Sequence, residues 1–139
     1  MIVNDPAVSY GSIDDRSILS IIDMVRKGVR YSHFLQIAKI SPFKINEWSA
    51  FLHLSERTMQ RYETENTVFD PIQSEKIVQI TMLNNYGVEV FGDREKFNTW
   101  IDAKSIALGG IKPKELLDNN FGIELVKDEL GRIAHGILA

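Results

Sequence analysis

The chain has 139 residues, of which 44 % are hydrophobic and 25 % charged, the composition of a folded globular protein. It contains no cysteine, which excludes disulfide frameworks, thiolate metal sites and cysteine nucleophiles. No apolar run approaches the ~20 residues needed to span a bilayer, and the opening MIVNDPAVSYG lacks the pattern of a signal peptide, so we expect a cytoplasmic protein with no membrane partner.

The net charge of −3 is distributed unevenly along the chain. Residues 26–62 carry seven basic and two acidic side chains, a local charge of +5, whereas residues 1–25 and 63–139 carry −3 and −5. A polyanion responds to the local field more than to the total charge. The central segment is therefore a candidate nucleic-acid surface.

The first predicted elements are a tail and two helices. Residues 1–13 are expected to form a flexible tail. Apolar residues at helical spacing then predict an amphipathic helix from Ser17 to Lys27, which Gly28 ends. The apolar face of this helix comprises Ile18, Ile21, Ile22 and Val25. A second helix is expected over about residues 31–40.

Three further helix starts are predicted in the middle of the chain. Ser41-Pro42 combines an N-cap with a first-turn proline and predicts a third helix. Ser55 is expected to cap a short fourth helix, SERTMQRYE. Asp70-Pro71 is a second pair of cap and first-turn proline, and predicts the start of a long helix.

A glycine-interrupted segment, residues 87–92, predicts the joint between two subdomains. Beyond it, Asp93 is expected to cap another helix. Gly109-Gly110 predicts a turn, and Pro113 is expected to begin a further helix.

The last predicted helix, about residues 123–136, carries an apolar stripe. The stripe comprises Val126, Leu130, Ile133 and Ile137. Such a stripe is either the core of a small helical bundle or a surface kept for a partner, because excess apolar surface marks interaction sites. Since no segment alternates as a strand would, the whole pattern predicts an all-α fold.

The signatures of common enzymes are missing. The sequence has no GxSxG, no HExxH, no P-loop and no GxGxxG after a strand. His33, His53 and His135 are its only histidines and lie far apart, without the spacing of metal ligands. We therefore expect no catalytic residue, no metal and no cofactor.

The stretch INEWSAFLHLSERTMQRYE, residues 45–63, has the pattern of a helix-turn-helix. Such a motif needs a supporting helix, a tight turn and a second helix that is apolar inside and polar outside. The residues placed inward are Trp48, Ser49, Leu52, Leu54, Met59 and Tyr62. The stretch, especially LSERTMQRYE, resembles the Xre-like helix-turn-helix of phage-repressor type. The candidate DNA-binding residues are Lys44, Ser55, Arg57, Thr58, Gln60 and Arg61.

Two residues depart from that motif. His53 stands where the turn usually has a glycine, and Ile45 stands where a polar residue approaches phosphate. The alternative is a helical hairpin that only packs or dimerises, with its basic face in solvent. The positive charge of residues 26–62 favours operator DNA as a partner.

Three motifs mark the last forty residues: Trp100, the segment ALGGIKPKELL at 107–117, and RIAHGILA at 132–139. Together they resemble the C-terminal domain of the Xre/MbcA/ParS antitoxin family. The resemblance implies an antitoxin that pairs as a homodimer and caps the active site of an NAD-consuming RES-domain toxin. The candidate toxin-binding residues are Trp100, Leu108, Gly110, Arg132, His135, Gly136, Ile137, Leu138 and Ala139.

The resemblance implies three parts: a flexible tail (1–13), an Xre-like helix-turn-helix domain (14–86) and a C-terminal toxin-binding domain (87–139). A long helix would join the helix-turn-helix bundle to the small C-terminal helical domain. The first hypothesis is a cytoplasmic type II antitoxin that represses its own operon. The second is a plain DNA-binding transcriptional repressor whose C-terminal domain only dimerises, and the third is an adaptor with a vestigial helix-turn-helix.

Overall fold

The computed structural model describes residues 9–10 and 14–136, and these residues form the expected all-α fold. They contain seven α-helices and one 3₁₀ helix, with no strand among them. The elements are α1 (Asp15–Lys27), α2 (Tyr31–Ile40), α3 (Ile45–Phe51), α4 (Glu56–Glu65), α5 (Pro71–Phe91), α6 (Arg94–Ile101), the 3₁₀ helix (Pro113–Leu116) and α7 (Asn120–Ala134). Most of the tail expected at 1–13, and residues 137–139, lie outside the described residues.

Side-chain caps fix the start of several helices. The carboxylates of Asp70 and Asp93 accept hydrogen bonds from backbone N–H groups three residues later, both at 2.7 Å. The Ser55 hydroxyl accepts in the same way from the N–H of Thr58, at 3.1 Å. These bonds satisfy N–H groups that have no partner inside the helix, and they confirm the three predicted caps.

The predicted start of the third helix at Ser41-Pro42 is wrong. Ser41 ends α2, and its hydroxyl donates to the carbonyl of Ala38 at 2.7 Å. The same oxygen accepts a hydrogen bond from the Trp48 indole N–H at 3.1 Å. With the hydroxyl occupied in this way, α3 begins four residues later, where Glu47 accepts the backbone N–H of Lys44 at 3.0 Å.

The helix-turn-helix half is held together by an aromatic core. The buried rings of Phe34, Trp48 and Phe69 meet edge to face, with centroids 5.2–5.3 Å apart for the two pairs that involve Phe34. Phe43 and Phe51 extend the same cluster around Trp48. Such contacts add to the burial of large apolar area, so this core positions α3 and α4 rigidly.

The apolar face predicted for α1 is divided between core and solvent. Ile21 and Val25 pack against the core, whereas Ile18 and Ile22 are exposed, and none of the residues of α1 is fully buried. The helix packs on α5 with one edge of its apolar surface only. The prediction of a helix here is confirmed, and its predicted apolar face is shared between the core and solvent.

Helix α5 runs through the predicted joint without a break. Gly87 lies inside this helix and is buried, because the ring of Phe97 from α6 rests directly on it and would overlap a Cβ at that position. The helix ends at Gly92, whose φ of 83° is in the left-handed region that glycine favours. A division of the chain near residue 87 stays a prediction, and it would fall within a continuous helix.

In the C-terminal part, α6 and α7 pack on α5, and the 3₁₀ helix contacts α6 and α7. Gly109 and Gly110 form the predicted turn, with φ values of 79° and 81°. Pro113 begins a 3₁₀ helix of four residues and not an α-helix. A longer helix does not fit between Pro113 and α7, because Asn119 already caps α7 by accepting the Gly122 N–H at 2.8 Å.

The apolar stripe of α7 belongs largely to the core. Val126 and Leu130 are fully buried, and Ile123, which precedes them on the same face, is buried as well. Ile133 is half-buried, and Ile137 lies outside the described residues. Of the two explanations for the stripe, a helical-bundle core accounts for Val126 and Leu130, so these two residues are not spare surface for a partner.

Candidate functional site

Helices α3 and α4 form a helix-turn-helix with the inward residues placed as predicted. Ser49 is buried at the crossing of the two helices, and its carbonyl accepts the backbone N–H of Leu54 at 3.0 Å, which closes the turn. Trp48, Leu52 and Met59 are buried, and Leu54 and Tyr62 are half-buried against them. The supporting helix therefore holds α4 at a fixed angle with one face outward.

His53 occupies the turn position where the resembled motif has a glycine. Its φ is 56°, in the left-handed region that costs a residue with a Cβ about 1–2 kcal/mol. The imidazole Nε2 lies 2.7 Å from the carbonyl oxygen of Asp118, so Nε2 donates this hydrogen bond. The histidine side chain, which a glycine would lack, thus connects the turn to the C-terminal part of the chain.

The outward face of α4 carries the candidate DNA-binding side chains. Arg57, Gln60 and Arg61 are exposed, and neither arginine forms an ion pair with another side chain of residues 14–136. The Arg61 guanidinium lies over the Tyr62 ring, 5.7 Å from its centroid, which orients it on the helix surface. Arg57 and Gln60 can reach a ligand without breaking a side-chain contact, and Arg61 gives up only its contact with the Tyr62 ring.

The other three candidate DNA-binding residues are placed differently. The Ser55 hydroxyl donates to the Thr58 hydroxyl at 2.9 Å, in addition to capping α4. Both hydroxyl groups are therefore already hydrogen-bonded at the start of α4. The backbone N–H groups of the first turn that the cap leaves free can face a phosphate. Lys44 is exposed at the start of α3, on a different element from the other five.

The predicted toxin-binding residues form two groups on different elements. In the first group, the half-buried Trp100 ring packs against Phe91 and Phe97, with centroids 5.6 and 6.4 Å away. Leu108 packs against the core, and Gly110 is exposed in the turn that follows. Packing within the chain accounts for Trp100 and Leu108, and their contact with a toxin stays a prediction.

The second group lies at the end of α7. Arg132 and His135 line a cleft of about 360 Å³ together with Tyr10, Tyr86 and Lys127. The Arg132 guanidinium is anchored by the buried Glu129 carboxylate at 2.9 Å, and it remains half-exposed. His135 and Gly136 are exposed, and Gly136 has a φ of 70°, in the left-handed region that glycine favours. Ile137, Leu138 and Ala139 lie outside the described residues.

One wall of this cleft comes from the segment before α1. Tyr10 is half-buried, with the Lys127 ammonium 4.4 Å from its ring centroid. Burial, together with the nearby carboxylates of Glu124 and Glu75, raises the pKa of Tyr10 to about 12. Tyr10 therefore stays neutral and keeps its hydroxyl proton across the physiological range.

A charged network connects the helix-turn-helix to the C-terminal part. The Lys114 ammonium lies 2.8 Å from the Glu47 carboxylate and 2.7 Å from that of Asp102. Hydrogen bonds from Lys114 lower the pKa of Asp102, and they lower the pKa of Glu47 although burial acts in the opposite direction. No local pattern predicted this network, because its three members are far apart along the chain.

Sequence reasoning also missed two exposed apolar side chains in the C-terminal part. Ile106 is 96 % exposed at the start of the glycine turn, and Phe121 is 87 % exposed in the first turn of α7. Helical spacing could have placed Phe121 opposite the buried Ile123 and Val126. In the described ranges no group of three metal-binding side chains comes together, and no helix there has the length and hydropathy to cross a membrane.

Comparison with known protein families assigns both halves of the chain. Residues 20–81 match the antitoxin Xre-like helix-turn-helix domain. Residues 87–136 match the C-terminal toxin-binding domain of the antitoxins Xre, MbcA and ParS. Neither matched domain is an enzyme domain, in agreement with the prediction that the chain is not an enzyme.

Two curated proteins are similar to this chain over most of its length. The protein named Antitoxin Xre from Yersinia enterocolitica is 32 % identical over 84 residues, which are 60 % of this chain and 57 % of that protein. The protein of the same name from Photorhabdus laumondii is 28 % identical over 105 residues, 69 % of this chain and 71 % of that protein. The match thus spans little more than half the length of the Yersinia relative.

Proposed function

Because the chain belongs to the Xre/MbcA/ParS antitoxin family, we propose that it is the antitoxin of a type II toxin–antitoxin pair. Its partner is a RES-type toxin that consumes NAD, which the C-terminal domain binds and inhibits. The helix-turn-helix binds operator DNA and represses the operon. The antitoxin acts as a homodimer, so that two recognition helices can read two half-sites.

The main support for the proposal is the match of residues 87–136 to a toxin-binding domain. Near the end of the matched segment, Arg132 and His135 are exposed. Glu129 fixes the Arg132 guanidinium by an ion pair at 2.9 Å, so little side-chain entropy is lost when a partner anion contacts it. Residues 136–139 continue from this point. In the proposal, Arg132 pairs with an anionic group of the toxin, and Ile137 and Leu138 fill apolar space at its NAD site and exclude substrate.

The basic face of α4 supports the DNA-binding part of the proposal. Arg57, Gln60 and Arg61 suit guanine edges, adenine edges and phosphates, and they project from a helix whose opposite side is anchored by the buried Met59. The charge of +5 over residues 26–62 adds a favourable field. The same face favours a second candidate function, a plain repressor without a toxin partner.

A co-expression experiment separates the two candidates. The chain is produced together with a candidate RES-type toxin, and NAD is measured in the cells and in a reaction with the purified proteins. The antitoxin proposal predicts that the two proteins co-purify and that NAD consumption stops when the antitoxin is in excess. Full NAD consumption with no complex would contradict it and leave the repressor function.

A further inference from the structure

Helix α1 has an apolar stripe that the rest of the described chain does not cover. Leu19 is 68 % exposed, and Ile18 and Ile22 are exposed beside it. Other residues of α1, which include Ile21, Met24 and Val25, face inward and pack against the core. An exposed stripe of large aliphatic side chains on a small protein indicates a surface that is covered by a partner.

Charged residues of opposite sign flank the stripe at its two ends. At ~100° per residue, Asp15 and Arg26 fall within the same arc of about 100° as the three apolar residues. Asp15 lies in the first turn of the helix and Arg26 in the last. Neither side chain forms an ion pair with any residue in the described ranges, whereas the pair Asp23 and Lys27 on the neighbouring side does, at 2.9 Å.

This pattern is complementary to itself. When two such helices lie antiparallel about a two-fold axis that passes between residues 20 and 21, Leu19 of each lies opposite Ile22 of the other. The same arrangement places Asp15 of each copy opposite Arg26 of the other. One symmetric pairing thus buries Leu19 against Ile22 and satisfies both charges, as an isologous interface requires.

A groove beside the stripe enlarges the surface that such a pairing can use. Between α1 and the start of α5 lies a groove of about 380 Å³, whose lining includes Ile22, Arg26 and Ile72. Ile72 is 82 % exposed although it stands in the first turn of α5. The Leu19 side chain of a second copy, opposite Ile22, would lie at the mouth of this groove and would contact Ile72.

We propose that the α1 stripe of Asp15, Ile18, Leu19, Ile22 and Arg26 is the interface of the homodimer, with a second copy of this chain packed antiparallel on it. This inference rests on the proposed function in one respect only, which is that the protein forms a dimer. It places that dimer on the outward face of α1, whose stripe includes none of the proposed toxin-binding residues. Because one helix pair buries less than a standard interface of about 1,600 Å², the dimer dissociates on dilution.

The test uses sedimentation equilibrium of the full chain over a range of concentrations. Leu19→Glu places a charge in the centre of the apolar interface and should raise the dimer Kd at least about tenfold. Ser20→Glu is the matched control, because it adds the same charge to an exposed position of α1 outside the stripe. This control should leave the Kd within about twofold, and circular dichroism verifies that both variants fold.

A charge exchange tests the antiparallel register. Asp15→Arg and Arg26→Asp each place like charges opposite one another and should weaken the dimer, whereas the double variant should restore it. The inference is overturned if the wild type is a monomer, if Leu19→Glu dimerises like Ser20→Glu, or if the double variant is no tighter than the singles. Inhibition of the toxin, measured in parallel by NAD consumption, stays intact in all these outcomes unless the proposed function itself is wrong.

Discussion

The imidazole Nε2 of His53 donates a hydrogen bond to the carbonyl oxygen of Asp118 over 2.7 Å, and so ties the turn of the helix-turn-helix to the segment before α7. The Lys114–Glu47 ion pair lies across the same boundary. Two parts of the chain that match different domains are therefore joined by polar contacts as well as by the continuous helix α5.

Two substitutions of His53 separate the effect of its hydrogen bond from the effect of its left-handed backbone conformation. His53→Ala removes the hydrogen bond and keeps a Cβ at positive φ, so it should lower the free energy of unfolding by about 1 kcal/mol. His53→Gly removes the same bond but relieves the left-handed strain, and should be about 1 kcal/mol more stable than His53→Ala. Urea unfolding measures the free energy of unfolding of both variants. Equal values for the two would contradict the strain assigned to the positive φ at position 53.

A methyl group at Gly87 should disrupt the contact between α5 and α6. Gly87→Ala overlaps the Phe97 ring and is expected to cost about 2 kcal/mol or more in the free energy of unfolding. Gly131→Ala in α7 is the matched control, because the added Cβ meets only the Tyr86 hydroxyl, at 3.7 Å. That control should be neutral or stabilising by up to about 1 kcal/mol. Thermal unfolding that ranks the two variants in the opposite order would refute this packing.

The network around Lys114 predicts a dependence of stability on acid pH. The folded-state pKa values of Glu47 and Asp102 lie below their ordinary values of 4.5 and 3.8. The stability they contribute is thus present above those values and is lost as the pH falls through the lowered ones. Lys114→Ala should flatten the decline of urea midpoints below pH 5. Lys112→Ala should flatten it less, because Lys112 is 3.5 Å from Asp102 and has no contact with Glu47. Identical slopes in wild type and Lys114→Ala would count against the network.

The outward face of α4 should carry the DNA affinity. Arg57→Ala and Arg61→Ala are each expected to weaken binding to the proposed operator DNA about tenfold or more, and to reduce the salt dependence by about one counterion. Lys39→Ala is the matched control, since it removes the same charge from an exposed position on α2. Fluorescence anisotropy at several salt concentrations provides the measurement. Arginine variants that bind like the lysine control would leave the helix-turn-helix without a DNA role.

The sequence predicted the elements whose signals are local. The caps at Ser55, Asp70 and Asp93 and the turn at Gly109-Gly110 depend on neighbouring residues, and all were predicted correctly. Ser41 was misassigned because its hydroxyl bonds to Trp48, seven residues away, instead of capping the helix that follows.

Features that depend on residues far apart in the chain were not predicted, for the same physical reason. The need for a glycine at position 87 comes from the ring of Phe97, which belongs to another helix. In the candidate site, the exposed face of α4 followed from helical periodicity. The anchoring of Arg132 by a buried Glu129 and the cleft wall formed by Tyr10 depend on tertiary packing, which spacing does not encode.

The proposed block of the toxin by residues 136–139 is tested by measuring NAD consumption by the proposed RES-type toxin with increasing amounts of antitoxin. A variant without Gly136 to Ala139 loses nothing from α7, which ends at Ala134, and circular dichroism should show it folded. Ile137→Ser with Leu138→Ser keeps the length and removes only the apolar side chains. We predict that both variants require at least about tenfold more protein for half-inhibition. Inhibition by the truncated protein at the same concentration as the full chain would contradict the account.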